Sequence, residues 1–168
     1  MSKAFTRESD DAPERPVTRQ SSALPPGAKN YLTPDGAQRM RAELESLERE
    51  RLGLTAPSSS DHAKTRLQEL ERRVLHIKQI LESAVVVPPP ATEEDRVRFG
   101  ATVTVRETNG EETQYRIVGV DETDFDRGWV SWLSPIARAL VNAQVGRRVK
   151  FKSPAGDTEL EIVRVAYK

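Results

Sequence analysis

The chain has 168 residues, 26 Lys+Arg, 26 Asp+Glu and a formal net charge of zero. That argues against a basic nucleic-acid coat and against an acidic tail protein as whole-chain readings. Hydrophobic residues make up 36 % and charged residues 31 %, against globular norms of about 45–50 % and about 25 %, so much of the chain must be solvated tail or exposed helix.

There is no Cys, and the only His are His62 and His76. Disulfides, thiolate metal sites and cysteine catalysis are excluded, and two His alone build no zinc site. No apolar run approaches the roughly 18 residues of a membrane span. The first residues lack the apolar core of a signal peptide. The expectation is a soluble cytoplasmic protein without membrane association.

Residues 1–30 read as a disordered tail. They hold Pro13, Pro16, Pro25 and Pro26, many Ser and charges, and one aromatic, Phe5. Such a segment buries too little apolar area to offset a backbone ordering cost of roughly 1–2 kcal/mol per residue.

Residues 31–86 predict a helical hairpin. Thr33-Pro34 reads as an N-cap followed by Pro at the first helical position. Ala37, Met40, Leu44, Leu47, Arg51 and Leu54 follow at alternating spacings of three and four. So do Ala63, Leu67, Leu70, Val74, Ile77, Leu81 and Ala84. Both series are heptad seams. Between them, Pro57 cannot continue a helix, and Ser60 or Asp61 can cap the next one. Two seams joined by a short breaker give antiparallel arms. Gly53 weakens the end of the first arm, and Arg51 stands in its seam, so the tip should be looser than the base. Arg66, Arg72, Arg73 and Lys78 predict a basic strip beside the second seam that could meet phosphate.

Pro88-Pro89-Pro90 predicts a stiff linker over residues 87–95 that ends the second helix and marks a domain boundary.

Residues 96–168 predict a compact β-rich domain, giving an α+β chain. Seven of the nine aromatics lie here. Ala101, Val103 and Val105 alternate with polar residues as in a half-buried strand. Asn109-Gly110 signals a two-residue hairpin loop. Strands follow through Tyr115 and Ile117, and over 129–133. Ser134-Pro135 reads as a cap and first-turn Pro of a short helix through Leu140, with Gly146 ending the turn after it. Val149 and Phe151 begin another strand. Pro154-Ala155-Gly156-Asp157 is a turn, and Leu160 to Tyr167 is the last strand. Its apolar parity shifts between Ile162 and Val163, which predicts a bulge or two-sided burial.

No nucleotide-binding loop and no nucleophile elbow is present. Asp121, Glu122, Asp124 and Asp126 lack the Gly and terminal Glu of a calcium loop, so they read as a solvated turn. His76 reads as a half-exposed coil residue. Asp61 and His62 are adjacent, and adjacent helical residues point apart. The residues alone show no self-contained catalytic site and no metal site.

The chain resembles the Gre family (GreA/GreB) of bacterial transcript-cleavage factors. The stretch 32–36, Leu-Thr-Pro-Asp-Gly, followed by Met40, Leu44 and Leu47, resembles the family's opening. The stretch 66–74 resembles the second coil arm of the GreB branch. Residues 99–103, 115–122 and 132–140 resemble the β domain in order and spacing, and 158–167 fits its end. The leader 3–10 resembles the tail of some GreB proteins.

The resemblance implies an FKBP-like C-terminal domain that grips the rim of the RNA polymerase secondary channel, and a coiled coil that enters the channel. In cleaving members the tip supplies an Asp and a Glu. These help hold the second magnesium and its water in the polymerase active site, where backtracked RNA is hydrolysed. On this resemblance Ser134, Pro135, Ile136, Ala137 and Arg138 form the polymerase-contact surface. Arg66, Arg72 and Arg73 match coil positions facing nascent RNA or the channel wall. The factor would be a monomer with no cofactor of its own. The polymerase magnesium would enter only if the tip reached it.

The tip departs from the family. Residues 56–62 read Ala-Pro-Ser-Ser-Ser-Asp-His, and Asp61 is the only carboxylate there. The arms read about two turns shorter, which retracts the tip by roughly 10 Å. The expectation is a polymerase-binding elongation regulator that does not stimulate cleavage. The alternatives are a cleavage factor using Asp61 with Glu50, a regulatory protein similar to Rnk, and, more remotely, an FKBP-like prolyl isomerase.

Overall fold

The computed structural model describes residues 24–54, 61–92, 94–153 and 156–167. The expectations for 1–23, for the breaker at 56–60 and for Pro154-Ala155 lie outside the described residues.

The architecture is α+β: two long helices, then a curled sheet. The helices are α1 (Pro34–Leu54) and α2 (Asp61–Ser83). At 1.5 Å per residue they span about 32 and about 35 Å. The expected cap starts α1: the Gly36 N–H donates to Thr33 Oγ1 at 3.0 Å. Burial falls toward the tip, as the weak seam residues require. In α2, Leu70, Val74, Ile77 and Ile80 are buried, whereas Ala63 and Leu67 are half-buried. Ile80 was not read as a seam residue. It is buried because it packs with Leu32 and Ala37 at the base of the hairpin.

Two short strands at that base differ from expectation. Asn30, assigned to the tail by sequence, opens β1 (Asn30–Leu32) and is buried. Ala84, assigned to the α2 seam, opens β2 (Ala84–Val86). β1 and β2 pair in parallel, Asn30 opposite Ala84 and Leu32 opposite Val86. Parallel neighbours need a long crossover, and here the whole helical hairpin is that crossover. The Asn30 side-chain amide donates to the Ser83 hydroxyl at 3.1 Å, tying the two ends of the hairpin together.

The second sheet has the order β5-β4-β3-β7-β6. Its strands are β3 (Thr102–Glu107), β4 (Glu112–Val118), β5 (Trp129–Ser131), β6 (Arg148–Ser153) and β7 (Gly156–Ala166). All neighbours are antiparallel except β4 and β5. The predicted bulge is present: Thr104 faces Arg164 and Val105 faces Ile162, so Val163 is the extra residue. The β3–β4 loop is longer than two residues. Glu107 N–H donates to Glu111 C=O, leaving 108–110 as the loop, with Gly110 at φ 87°. That is a three-residue connection with Gly in the left-handed position. β5 stops at Ser131, short of Leu133, because the Ser131 hydroxyl and carbonyl accept the Leu133 and Ser134 N–H groups.

The short helix α3 (Pro135–Leu140) lies over the sheet and buries Ala137 and Leu140. Its expected cap is formed: the Ala137 N–H donates to Ser134 Oγ at 3.3 Å. The first left-handed residue after it is Asn142 (φ 69°), ahead of Gly146. The main core gathers Val103, Val105, Ile117, Leu140, Leu160 and Ile162, all essentially inaccessible.

Glu122 joins the hairpin to the sheet. It ends a 3₁₀ turn (Val120–Glu122) and is buried, 6 % exposed. The sequence placed it in a solvated acidic turn; only its neighbours in the run, Asp121, Asp124 and Asp126, retain exposure. One carboxylate oxygen accepts the N–H groups of Thr33 (2.9 Å) and Gly119 (3.1 Å). The other accepts the Thr33 hydroxyl and lies 3.5 Å from an Arg39 guanidinium nitrogen. Two glycines make room for this approach. A Cβ on Gly36 would stand 1.8 Å from Glu122 Oε1, and one on Gly119 would stand 2.1 Å from the Tyr31 carbonyl oxygen.

Glu122→Ala leaves two buried N–H groups unpaired, so it should lower stability by at least about 2 kcal/mol. Gly119→Ala should cost about 1–3 kcal/mol, because the obstructing atom is backbone. Urea unfolding of both variants checks this; wild-type midpoints would refute the role given to Glu122.

Candidate polymerase-contact site

The predicted contact residues start at the N-terminus of α3. Ala137 is fully buried in the core, so its side chain offers no contact surface. Ser134 and Ile136 are half-buried, and Pro135 and Arg138 are exposed. The Ser134 hydroxyl is committed to its cap. The surface therefore reduces to Pro135, Arg138 and the outer edge of Ile136.

That surface borders a cleft of about 800 Å³ between the hairpin base and the sheet. Met40, Ile77 and Ile80 form the helical wall, and Val130, Leu133 and Pro135 form the opposite wall. His76, exposed rather than half-exposed, and Arg73 stand on the helical rim. Phe125 stands on the other rim, 77 % exposed. Sequence reasoning missed Phe125. Its signal was a large aromatic inside an acidic run, where no alternation calls for an apolar residue.

The hairpin is fixed to the sheet beside this cleft. Arg39 stacks over Trp129, 4.5 Å to the ring centroid, and ion-pairs with Asp35 at 3.4 Å. Arg116 also stands over Trp129, at 5.1 Å, and reaches Asp35 at 3.6 Å. On the other side, Tyr31 packs against Trp132 and Phe99, with centroids 5.1 and 5.7 Å apart.

The expected basic strip is largely spent on the other arm. Arg66 reaches Glu50 at 2.9 Å and Glu69 at 3.4 Å. Arg73 reaches Glu43 at 2.7 Å, and Lys78 reaches Glu48 at 2.8 Å. Arg72 is exposed and makes no ion pair among the described residues. The hydrogen bond from Lys78 holds the Glu48 carboxyl below its ordinary value. That tie is present above about pH 4.5 and is lost as pH falls through the lower folded-state value. Glu50 likewise raises the Arg66 pKa.

At the tip end, Asp61 pairs with Lys64 at 3.2 Å and its side chain is fully exposed. Glu50 is held by Arg66. No group of three or more metal-ligating side chains forms among the described residues.

Comparison with known proteins now settles the family. Residues 91–167 match the family described as "Transcription elongation factor, GreA/GreB, C-term". A Neisseria meningitidis transcription elongation factor GreB is 38 % identical over 154 residues, covering 83 % of this chain and 94 % of that protein. The chain belongs to the GreA/GreB family. The Pseudomonas aeruginosa GreB is 35 % identical, covering 81 % and 89 %, and the Alkalilimnicola ehrlichii GreA is 38 % identical, covering 83 % and 99 %. Among solved structures, Gfh1 of Thermus thermophilus is 21 % identical with a TM-score of 0.40, covering 83 % of this chain and 99 % of that one. A GreA/GreB factor from Nitrosomonas europaea is 23 % identical with a TM-score of 0.42, covering 83 % and 99 %. Among the described residues, no helix is long and apolar enough to cross a membrane.

The cross-arm ion pairs should hold the hairpin in register. A double-mutant cycle on Glu43 and Arg73 is expected to give about 0.2–1 kcal/mol of coupling, shrinking in high salt. Thermal melts of Glu43→Gln, Arg73→Gln and the double variant measure it.

Proposed function

We propose that this GreA/GreB-family chain binds bacterial RNA polymerase as a cytoplasmic monomer. The β domain seats on the rim of the secondary channel, and the hairpin occupies the channel. On this reading the factor does not stimulate transcript cleavage. It acts by occupancy, in competition with cleaving factors.

The observation that carries the second part is the state of the two carboxylates nearest the tip. Hydrolysis of backtracked RNA needs carboxylate oxygens free to hold a magnesium ion and its water. Glu50 is engaged by Arg66 across the hairpin, and Asp61, fully exposed with only Lys64 beside it, is left as a single tip carboxylate where the chemistry needs a pair. On the resemblance, the acidic tip segment of cleaving members gives way here to Ala-Pro-Ser-Ser-Ser. The chain therefore brings no cofactor, and the magnesium stays the polymerase's own.

The first part rests on the cleft. Pro135, Arg138 and the exposed Phe125 border a mixed surface next to the base of the rod, where Met40, Ile77, Ile80, Val130 and Leu133 stand beside Asp121, Asp124 and Asp126. An exposed aromatic among apolar and charged neighbours is a usual form of a binding anchor. Of the three predicted coil contacts, Arg72 makes no ion pair among the described residues and is free to meet RNA or the channel wall, while Arg66 and Arg73 mainly brace the hairpin.

RNA cleavage in backtracked polymerase complexes tests this, with the protein alone and then titrated against a cleaving GreB. The expected result is no cleavage alone and inhibition of GreB. Cleavage alone, abolished by Asp61→Ala or Glu50→Gln, would overturn the reading of the tip. Failure to bind core polymerase would overturn the whole reading and favour regulation away from elongation. Phe125→Ala should weaken polymerase binding by about tenfold or more with an unchanged melting temperature.

A further inference from the structure

The connection between α3 and β6 folds back on residues 95–98. The Val97 N–H donates to Ala143 C=O at 2.8 Å, and the Asn142 N–H donates to Val97 C=O at 2.8 Å. The Val145 N–H donates to Asp95 C=O at 3.1 Å. Arg96 and Gln144 form an isolated antiparallel bridge. The Tyr167 hydroxyl donates to Arg96 C=O and accepts the Arg98 N–H at 3.0 Å. The backbone carrying Arg96 is thus fixed on two sides, and the Arg147 N–H is bonded to Gln144 C=O at 3.1 Å.

Between these segments lies an open recess of about 410 Å³. Its charged lining is Arg96, Arg147 and Arg148, and the amides of Asn142 and Gln144 complete the polar set. No carboxylate among the described residues lines it. Arg96 and Arg147 form no ion pair among the described residues. Arg148 comes no nearer than 4.0 Å to Glu161, and its side chain is 69 % exposed. Farther along β6 the charge is compensated: Lys150 pairs with Glu159, and Lys152 faces Asp157. In a chain of zero net charge, residues 127–156 hold six cations (Arg127, Arg138, Arg147, Arg148, Lys150, Lys152) and no Asp or Glu. In the recess Arg147 of that segment and Arg96 stay without an ion pair among the described residues, and Arg148 has only the long contact to Glu161.

We propose that this recess binds the phosphodiester backbone of nucleic acid, independently of base sequence. Guanidinium forks match phosphate oxygens bidentately, and side-chain amides add neutral donors. No aromatic ring among the described residues lines the recess, so it offers bases nothing to stack on. Among the described residues Ala143 and Val149 are its only apolar members, so an acidic protein would find little to anchor on there. The recess follows the C-terminal end of α3, while Ser134 and Pro135 open the N-terminal end. Six helical residues span about 9 Å, so both surfaces can be used together. The proposal rests on the recess itself and stands whether or not the polymerase reading does.

The test is fluorescence anisotropy of the full chain with short labelled DNA duplexes of two unrelated sequences. Three phosphate contacts predict equal affinity for both sequences and an affinity loss of about 40-fold between about 50 and about 200 mM salt. The Arg96→Gln, Arg147→Gln double variant should fold normally and reduce that loss to about 3–4-fold. Absence of binding at the lower salt overturns the proposal. So does binding whose salt dependence the double variant leaves intact. A double variant that loses affinity for nucleic-acid-free polymerase, with its DNA binding unchanged, would reassign the recess to an acidic protein surface.

Discussion

The structure depends on one buried carboxylate. Glu122 accepts the Thr33 and Gly119 N–H groups and the Thr33 hydroxyl. Thr33 is also the residue whose hydroxyl caps α1. The same residue pair therefore starts the helical rod and fixes it to the sheet. A charge taken out of water is costly unless its oxygens are satisfied. Here three donors and the Arg39 guanidinium satisfy it. Arg39 then stacks on Trp129, so the polar contact and the aromatic contact share one side chain. Gly36 and Gly119 follow as requirements, since each lacks the Cβ that would keep the partners apart.

This arrangement explains why the hairpin can act as a rod at all. A two-helix coiled coil buries only one seam per arm, and most of α1 beyond Ala37 is half-buried or exposed. The arms are braced by exposed ion pairs, each worth little. Stiffness must come from the base. There the parallel β1–β2 pair closes both ends of the hairpin, and Leu32, Ala37 and Ile80 form a second small core. The gradient from a dry base to a charged tip places order where the rod is anchored.

The legible parts of the sequence were local. Thr33-Pro34 and Ser134-Pro135 each carry a cap and a fixed φ within two residues, and both start helices as read. The heptad spacing gave both arms, and the parity slip at Val163 gave the bulge. What escaped depends on contacts between distant segments. Nothing local distinguishes Glu122 from Asp121, Asp124 and Asp126, because its burial is decided by Thr33, 89 residues away. Ala84 continues the heptad in sequence but pairs with Asn30 across the hairpin. The basic strip was visible as composition. Its neutralisation by Glu43, Glu48 and Glu50 follows only from the register of the two arms. Ala137 sits in the contact motif by sequence, yet the first turn of α3 points it into the core.

The base also determines what the tip can do. A rod of about 32 Å tilted by about 10° moves its end by about 6 Å. Metal chemistry tolerates a few tenths of an ångström in ligand position. A factor that places catalytic carboxylates must therefore hold both its length and its angle. A factor that works by filling a channel needs only the angle, and can trade tip carboxylates for internal ion pairs. In this chain the angle is secured by Glu122, Arg39 and Tyr31, while Glu50 is tied across the hairpin to Arg66 and Asp61 contacts only Lys64. Glu50 is spent on bracing one arm against the other, whereas the Asp61 pair lies within α2 alone; this division of labour is what the proposed reading of the chain as an occupant of the channel requires.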